Sequence, residues 1–307
     1  MDDIFALLPE NLQQLFDKIS NWFSIEEIRI RIFSPVEIIT SEKAFYLCNN
    51  DNDPYVITEE DIEYILNQLS EFSMYAFQEE LKQGFITTRG GHRVGVGGQV
   101  IHEKGIIQSL KHIRYFNIRV AKDHKGAAKQ YLDKLYANGY DDTLIIGAPQ
   151  SGKTTFLRDL ARCASKGMPE INLPSKKVAI VDERSELAAC YKGIPSFDVG
   201  PRTDVLDGCP KAVGMMMMIR SMSPEMIIVD EIGRPEDAEA IMEAIHAGVT
   251  IVCSAHGTSL NEIKRRPILQ ELLTNGIFSN IVTLTRRQGA MNANIDSFVK
   301  WQKAAEK

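Results

Sequence analysis

A glycine-rich loop that carries a lysine and a threonine is the part of this sequence best suited to chemistry. The apolar run 144–146 leads into GAPQSGKTT, residues 147–155, with the spacing Gly-x-x-x-x-Gly-Lys-Thr. In such a loop the glycines let backbone N–H groups turn inward around phosphates, the lysine contacts the β- and γ-phosphates, and the threonine hydroxyl ligates Mg²⁺. A helix that begins at the loop directs the positive end of its dipole toward the same oxygens.

We therefore predict a nucleotide site formed by the whole loop. A chance match to this short pattern is the alternative, and the strand–loop–helix context argues against it. The residues predicted to bind the nucleotide are Gly147, Ala148, Pro149, Gln150, Ser151, Gly152, Lys153, Thr154 and Thr155.

Three more apolar runs end in polar side chains. Asp182-Glu183 follows VAIV, Asp230-Glu231 follows MIIV, and His256 comes shortly after TIVCSA. Ligands of open parallel sheets bind at the carboxyl ends of strands, and a charge placed there is costly unless it is paired. Bound Mg²⁺ and phosphates would explain why polar side chains stand at the ends of all three runs.

Asp230 is the natural group to hold Mg²⁺ through a coordinated water, because this metal keeps several waters and takes few carboxylates. Glu231 can orient or deprotonate an attacking water. A second acid at this point favours hydrolysis over transfer to an alcohol. The alternative is an acidic loop that happens to follow a strand.

Two assignments stay open. Glu183 competes with Glu231 for the role of base, but Asp182 could equally cap the next turn while Glu183 pairs with Arg184. His256 could sense the γ-phosphate or be a structural loop histidine.

The elements before the loop predict a small α+β domain over residues 1–126. We expect a helix over 1–23, a half-buried strand over 27–39, a helix capped by Thr58 with Asp61, and a helix over 74–83. Gly90-Gly91 indicates a hairpin turn, and a strand or loop follows over 112–120.

Residues 127–307 predict a second, α/β domain that carries the site. A linking helix is expected over 127–138, and strands over 143–147, 177–181, 226–229, 250–253 and 280–284 alternate with helices. This alternation favours a parallel sheet covered on both faces. The methionine run 215–218 is predicted to be a buried helix rather than a partner surface.

Composition limits the other function classes. The 307 residues suit about two domains, and the net charge of −6 argues against a nucleic-acid partner. Five scattered cysteines indicate reduced thiols in a cytoplasmic protein. The first residues are not typical of a leader, and no apolar run has the length of a membrane span, so a membrane role would go through partners.

The four boxes together resemble those of the secretion-type ATPases, which power type II and type IV secretion and pilus movement. GAPQSGKT is similar to their nucleotide loop, VDERSE to their acidic box, IRSMSPEMIIVDEIGRPED to their second acidic strand and SAHGTSL to their histidine box. Asp230 stands where many of these proteins have glycine. Within this superfamily the chain resembles, over nearly its full length, a family of stage III sporulation proteins.

The resemblance implies a mother-cell ATPase whose second domain is a RecA-like phosphate-loop (P-loop) ATPase domain with a parallel sheet. It implies that the protein uses ATP and Mg²⁺ and energises a channel complex in endospore formation. It implies Lys153 and Thr154 as phosphate and Mg²⁺ residues, Glu183 and Glu231 as catalytic carboxylates, and His256 as the box histidine. It also implies a ring, commonly a homohexamer, recruited to the membrane by membrane proteins of the complex.

In such rings an arginine of a neighbouring subunit can reach the γ-phosphate. The candidates are Arg93, Arg114, Arg119 and Arg202, each of which could instead be an ordinary surface arginine. Two rival functions remain: a nucleic-acid-dependent motor on the same fold, and a scaffold that binds nucleotide without turnover.

Overall fold

The chain divides into two units, Met1–Lys122 and Asp123–Lys307. The computed structural model describes residues 2–19, 21–71, 81–82, 84–287 and 290–297. The predicted boundary at Gly126 lies slightly later. Residues 126–129 are tied to the second unit because the Asp159 carboxylate accepts hydrogen bonds from the backbone N–H groups of Gly126, Ala128 and Lys129.

The described part of the first unit combines short helices with strands. The helices are α1 (Asp2–Phe5), α2 (Glu10–Phe16) and α3 (Glu59–Leu69), with 3₁₀ turns at Trp22–Ser24 and Arg89–Gly91. The strands are β1 (Ile25–Arg31), β2 (Glu37–Thr40), β3 (Ala44–Tyr46), β4 (Phe85–Thr87), β5 (Arg93–Glu103) and β6 (Ile106–Arg119).

These six strands form one antiparallel sheet in the order β3-β2-β1-β6-β5-β4. Its buried face follows from the period-2 alternation of isoleucines in β1, since Ile28 faces Ile38 on one neighbour and Ile118 on the other. Leu12 and Ile62, from α2 and α3, belong to the same buried cluster. The predicted α+β character of this region is therefore confirmed.

Two local predictions in this unit are wrong in detail. The helix expected over 1–23 is two helices, because Pro9 adopts an extended ψ of 155° and serves as the N-cap of α2. The strand expected over 27–39 is two strands, β1 and β2, joined by a turn in which Phe33 has a φ of 56°. The spacing of apolar residues continues across both turns, so the sequence pattern did not predict where the helix and the strand are interrupted.

Other local predictions are confirmed. Thr58 caps α3 in a capping box: its side chain accepts from the Asp61 N–H, and the Thr58 N–H donates to the Asp61 carboxylate at 3.0 Å. Gly90, with a φ of 74°, lies in the turn between β4 and β5, and residues 112–119 are strand. The helix predicted over 74–83 lies outside the described residues except for 81–82.

The second unit alternates strands and helices. Its strands are β7 (Thr143–Gly147), β8 (Val178–Asp182), β9 (Thr203–Asp207), β10 (Met226–Val229), β11 (Thr250–His256), β12 (Asn280–Arg287) and β13 (Ala290–Ser297). Its helices over the described ranges are α4 (Leu132–Leu135), α5 (Lys153–Lys166), α6 (Lys211–Met222), α7 (Pro235–His246), α8 (Leu260–Ile263) and α9 (Pro267–Thr274), with 3₁₀ turns at Lys129–Tyr131 and Pro169–Ile171.

The sheet of this unit has the order β13-β12-β7-β11-β10-β8-β9 and is parallel except for the edge strand β13. Alternate strand residues enter two buried clusters, with Ile145 and Ile228 in one and Leu144 and Ile227 in the other. The predicted α/β fold with a parallel sheet covered on both faces is therefore confirmed.

All five predicted strands are present, and the sequence patterns missed two more. β9 and β13 lie at the two edges of the sheet, where half-buried, polar strands such as TDVLD lack a continuous apolar run. The predicted linking helix over 127–138 is wrong in extent, because only a 3₁₀ turn and the short α4 form there.

The methionine run lies in α6, with Met215 and Met218 buried and Met217 about half exposed. No helix in the described ranges has the length and apolar character to cross a membrane.

A buried histidine makes the first unit sensitive to acid. His92 is 4% exposed, and its Nδ1 accepts a hydrogen bond from the Ala121 N–H at 3.0 Å. Burial lowers the pKa of His92 from 6.5 to about 4, although Asp3 favours the charged form. A protonated Nδ1 could no longer accept this bond, so the neutral ring is the form that the fold requires.

We predict that the first unit loses about 2 kcal/mol of its free energy of unfolding between pH 7 and pH 5. The folded pKa lies below the unfolded value, so the stabilisation is complete above pH 6.5 and declines as pH falls toward 4. Urea unfolding followed by Trp22 emission in a Trp301→Phe chain measures this unit. His92→Asn, whose amide oxygen can accept the same bond, should flatten the dependence; an equal decline in that variant contradicts the assignment.

Candidate functional site

The glycine-rich loop joins β7 to α5 at the carboxyl edge of the parallel sheet. Gly147 is the last residue of β7, and Gly152, with a φ of 100°, is the N-cap of α5. Gln150 also has a positive φ, 62°. Lys153 begins the helix, and its ammonium group donates to the carbonyl oxygens of Gly147 at 2.9 Å and Ala148 at 3.1 Å. The lysine therefore lies across the loop.

The concave shape of the loop depends on the absence of side chains at its two glycines. A Cβ added to Gly147 would overlap Ser151 Oγ and lie 3.2 Å from the Leu284 carbonyl oxygen. A Cβ on Gly152 would lie 2.9 Å from the sulfur of Met291, besides being strained by the positive φ. The buried Ser151 hydroxyl has no hydrogen-bond partner among the described residues. Backbone and hydroxyl thus form a polar cradle suited to phosphate oxygens.

Asp230 connects the helix after the loop to two strands. Thr154 Oγ1, in the first turn of α5, donates to Asp230 Oδ2 at 2.9 Å. The buried Ser254 hydroxyl, on β11, donates to the other carboxylate oxygen. Ser254 also accepts from the Glu231 N–H at 3.0 Å. A threonine hydroxyl and a carboxylate are hard oxygen ligands of the kind that Mg²⁺ takes in small number.

This donor set suits a metal that keeps most of its waters. The part of the chain that the structure describes has no group of three or more His, Cys, Asp or Glu side chains able to hold a metal ion. A site made wholly of protein ligands, as for structural zinc, is therefore not formed by those residues. The Thr154–Asp230 pair fits Mg²⁺ bound together with phosphates.

Asp182 has a structural role at the end of β8. Its buried carboxylate accepts hydrogen bonds from the N–H groups of Glu186 and Ala188, each at 2.9 Å. Burial raises the pKa of Asp182, and these backbone hydrogen bonds oppose the rise. The carboxylate caps the loop that follows, as the structural alternative for this residue predicts.

The two glutamates make separate ion pairs. Glu231, whose φ is 48°, contacts Arg184 at 2.6 Å, so the loops after β8 and β10 are linked across the sheet edge. Glu183 pairs with Lys211, the first residue of α6, and not with Arg184 as the structural alternative expected. The Glu231–Arg184 pair is largely solvent-exposed and therefore weak, of the order of 0.2–1 kcal/mol. Glu231 can thus exchange this partner at little cost.

Arg158 ties the loop helix to the acidic loop. Its side chain is buried, with Nε donating to the Leu187 carbonyl oxygen at 2.6 Å and Nη2 to the Glu186 carbonyl oxygen at 2.8 Å. Its guanidinium lies 3.9 Å from the centre of the Phe197 ring. Burial lowers the pKa of Arg158 from its ordinary value. The helix that carries Lys153 and Thr154 therefore also fixes the backbone after Asp182.

His256 is placed beside the loop by strand pairing. It is the last residue of β11, and its backbone lies opposite Gly147 on β7. The following N–H, of Gly257, donates to the Gly147 carbonyl oxygen at 3.2 Å. The histidine and the cradle thus occupy neighbouring strand ends.

Comparison with known proteins places the chain in a family. A family model described as Sporulation stage III, protein AA, matches residues 1–295. The chain belongs to this family. Stage III sporulation protein AA of Bacillus subtilis (strain 168) is 50% identical over 291 residues, which cover 94% of this chain and 92% of the relative.

Solved structures with a similar fold include a pilus retraction motor and an ATPase. The pilus retraction motor PilT with bound ADP has a TM-score of 0.63, with 97% of this chain and 88% of that one covered. The ATPase DotB of Yersinia pseudotuberculosis has a TM-score of 0.62, with 95% and 81% covered. Each is 14% identical to this chain, and at that identity the likeness establishes that this member of the protein AA family shares their fold.

The structure brings most of the predicted site residues to one edge of the sheet. The loop, Asp230, Glu231, Glu183 and His256 all follow strands that run in the same direction. Arg202 does not join them within its own unit. It precedes β9 and so lies at the amino ends of the parallel strands, where it contacts Ser175 and Glu225. Any role of Arg202 or the other arginines toward a neighbouring copy stays a prediction.

Sequence reasoning missed three residues that organise the site. Ser254 joins Asp230 to the Glu231 backbone, Arg158 supports the acidic loop, and Lys211 holds Glu183. The only local signal was for Arg158, a charged residue one turn after Thr154 on the apolar side of a helix. Ser254 and Lys211 are recognisable only through contacts with residues distant in sequence.

We predict that Gly152→Ala destabilises the second unit by about 1–2 kcal/mol, because alanine is strained at a φ of 100° and its Cβ meets Met291. Gly233→Ala is the matched control. Its φ is unstrained and no atom lies within 4 Å of the added Cβ, so its cost should stay within about 0.5 kcal/mol. Guanidinium unfolding measures both, and equal midpoints for the two variants would contradict this account of the loop.

Proposed function

We propose that this protein hydrolyses ATP and serves as the motor subunit of a secretion-like channel complex in endospore formation. The observation that carries the proposal is the hydrogen-bonded chain from Thr154 through Asp230 and Ser254 to Glu231, which lies beside the glycine cradle. Membership of the sporulation family and the secretion-ATPase fold support the biological setting.

The proposed cradle holds the phosphates. Lys153, now bonded to two loop carbonyls, turns its ammonium group to the β- and γ-phosphate oxygens. Backbone N–H groups of the loop, to which Pro149 contributes none, and the N-terminus of α5 add donors and dipole to the same oxygens. These groups are positioned by the fold before phosphate binds, so charge that develops in the transition state meets preorganised donors.

Thr154 and Asp230 are the proposed Mg²⁺ residues, the threonine directly and the aspartate through a water. When bound, Mg²⁺ neutralises negative charge on the β- and γ-phosphate oxygens. Ser254 holds the Asp230 carboxylate in place for this role. His256, at the adjacent strand end, is the proposed sensor of the γ-phosphate.

We infer that Glu231 is the base. A water oxygen bonds to the γ-phosphorus as the bond from that phosphorus to the β–γ bridging oxygen breaks, and the water proton passes to the Glu231 carboxylate. Two observations favour it over Glu183: its backbone is held by the same serine that holds Asp230, and its own ion pair is exposed and weak. The Glu183 carboxylate is instead paired with a largely buried lysine.

We infer the partners from the resemblance to secretion-type ATPases. Copies of the chain assemble into a homohexameric ring on the cytoplasmic side of the mother-cell membrane, and membrane proteins of the sporulation channel recruit it. In that ring an arginine from a neighbouring copy would complete the charge stabilisation. Two rivals use the same fold, a nucleic-acid-dependent motor and a scaffold that binds nucleotide without turnover.

We expect Lys153→Ala to lower steady ATP hydrolysis at least about a hundredfold, since it removes the main positive charge from the loop. Lys134→Ala, an exposed lysine of α4, is the matched control and should retain activity. Phosphate release is the measurement, with unfolding midpoints to exclude misfolding. Parent-like turnover by Lys153→Ala sinks the proposal. Nucleotide binding without turnover in the parent supports the scaffold, and strong salt-sensitive stimulation by single-stranded DNA supports the nucleic-acid motor.

Replacing either Glu231 or Glu183 by the isosteric glutamine tests which of the two acts as the base. Glu231→Gln should lower kcat by roughly 10²–10⁴ while ATP binding persists, because the amide cannot accept the water proton. Glu183→Gln should lower kcat less than about tenfold, since it only weakens the contact with Lys211. Single-turnover hydrolysis and equilibrium ATP binding separate the effects. The reverse ranking would transfer the role of base to Glu183.

A further inference from the structure

A groove between α7 and α9 lies outside the nucleotide site and has no assigned role. It encloses about 480 Å³, within the range of about 300–1,000 Å³ usual for ligand pockets. Its floor is apolar. The apolar lining side chains are Pro235, Ala238, Met242, Ile268 and Leu272. Pro235 is exposed, whereas the other four are buried or half-buried and therefore form the floor.

The rim of this groove is acidic. Glu239 and Glu243 stand one turn apart on α7, Glu271 faces them from α9, and Asn275 lines the groove next to Glu271 on the α9 side. None of the three carboxylates has an ion-pair partner in the described ranges, and the groove lining contains no basic residue. An apolar floor under three uncompensated negative charges suits a segment that mixes large apolar side chains with lysines.

The chain itself contains such a segment. Residues 298–307, FVKWQKAAEK, interleave Phe298 and Trp301 with Lys300 and Lys303, and carry three lysines against one glutamate. This composition is opposite in sign to the whole chain, whose net charge is −6. The family match ends at residue 295, so the segment lies outside what the family model covers.

The segment starts within reach of the groove. Ser297, the last residue of β13, pairs with Asn280 of β12, and Asn280 is only five positions along the chain from Asn275 in the groove. Five residues span at most about 18 Å, whereas ten residues extend to about 33 Å. A segment tethered this closely has a roughly millimolar effective concentration, which favours it over a free partner of the same chemistry.

We propose that residues 298–307 dock in the groove of the same chain, with Trp301 on the apolar floor and Lys300 and Lys303 against the acidic rim. The proposal is independent of ATP hydrolysis. It assigns an occupant to a solvent-facing apolar surface of the second unit and makes residues 298–307 a competitor of any basic amphipathic partner at this position.

Trp301 provides the measurement, because the chain has only one other tryptophan, Trp22. In full-length Trp22→Phe protein, Trp301 should be strongly shielded from acrylamide, a neutral quencher that the acidic rim does not repel. The difference between the parent and a Trp301→Phe chain reports the same signal if Trp22→Phe does not fold. Reversal of the rim by E239K, E243K and E271K together should raise quenching several-fold, toward the value of the urea-unfolded chain.

Charge exchange is the decisive control. Adding K300E and K303E to the reversed rim should restore the shielding, whereas Glu63→Lys, an exposed reversal in the first unit, should change nothing. Shielding should also weaken as the Debye length falls from about 10 Å at 0.1 M salt to about 3 Å at 1 M. The proposal is overturned if Trp301 in the intact chain is as accessible as in urea, or if rim reversal leaves it shielded. Shielding that disappears on dilution would place the segment on a second copy and overturn docking within one chain.

Discussion

The arrangement of the site depends on the hydrogen bonds that the Asp230 carboxylate accepts. This carboxylate receives the Thr154 hydroxyl from α5 and the Ser254 hydroxyl from β11, while its own backbone follows β10. Three elements that are far apart in sequence are therefore held by one side chain. A carboxylate at the end of a buried strand is costly unless its oxygens are satisfied, and here both are. The requirement to satisfy this charge fixes the helix, and with it the loop, against the sheet.

A second set of contacts extends this order to the neighbouring strand end. Arg158 reaches from α5 to the backbone carbonyls after β8, and Asp182 receives the N–H groups of the same loop. A buried guanidinium satisfied by carbonyls is a rigid support, because removal of either partner leaves a buried polar group without a bond. The acidic loop is thus held from both ends, and Glu183 and Arg184 project from a fixed backbone.

Family membership and fold carry different kinds of information about this protein. Half of the aligned residues are shared with the Bacillus subtilis relative, whereas the two solved structures share the fold at 14% identity. A parallel sheet with apolar strands tolerates many substitutions of similar volume, so the fold persists where sequence identity is low. The acidic groove of α7 and α9 is a surface feature, and surface features are free to differ between proteins that share a core.

The sequence by itself determined the local features of this protein, each through a short stretch of neighbouring residues. The glycine loop, the box at Thr58 and the apolar strands before Asp230 and His256 are encoded by neighbouring residues, because turns, caps and strand alternation depend on a few consecutive side chains. Only the tertiary structure decided which side chains form ion pairs and which strands become neighbours. Which glutamate pairs with Arg184, that Lys211 takes Glu183, and that β9 and β13 close the edges of the sheet depend on elements brought together by folding. No local pattern specifies such pairings, because each is selected by packing and charge satisfaction across the whole unit.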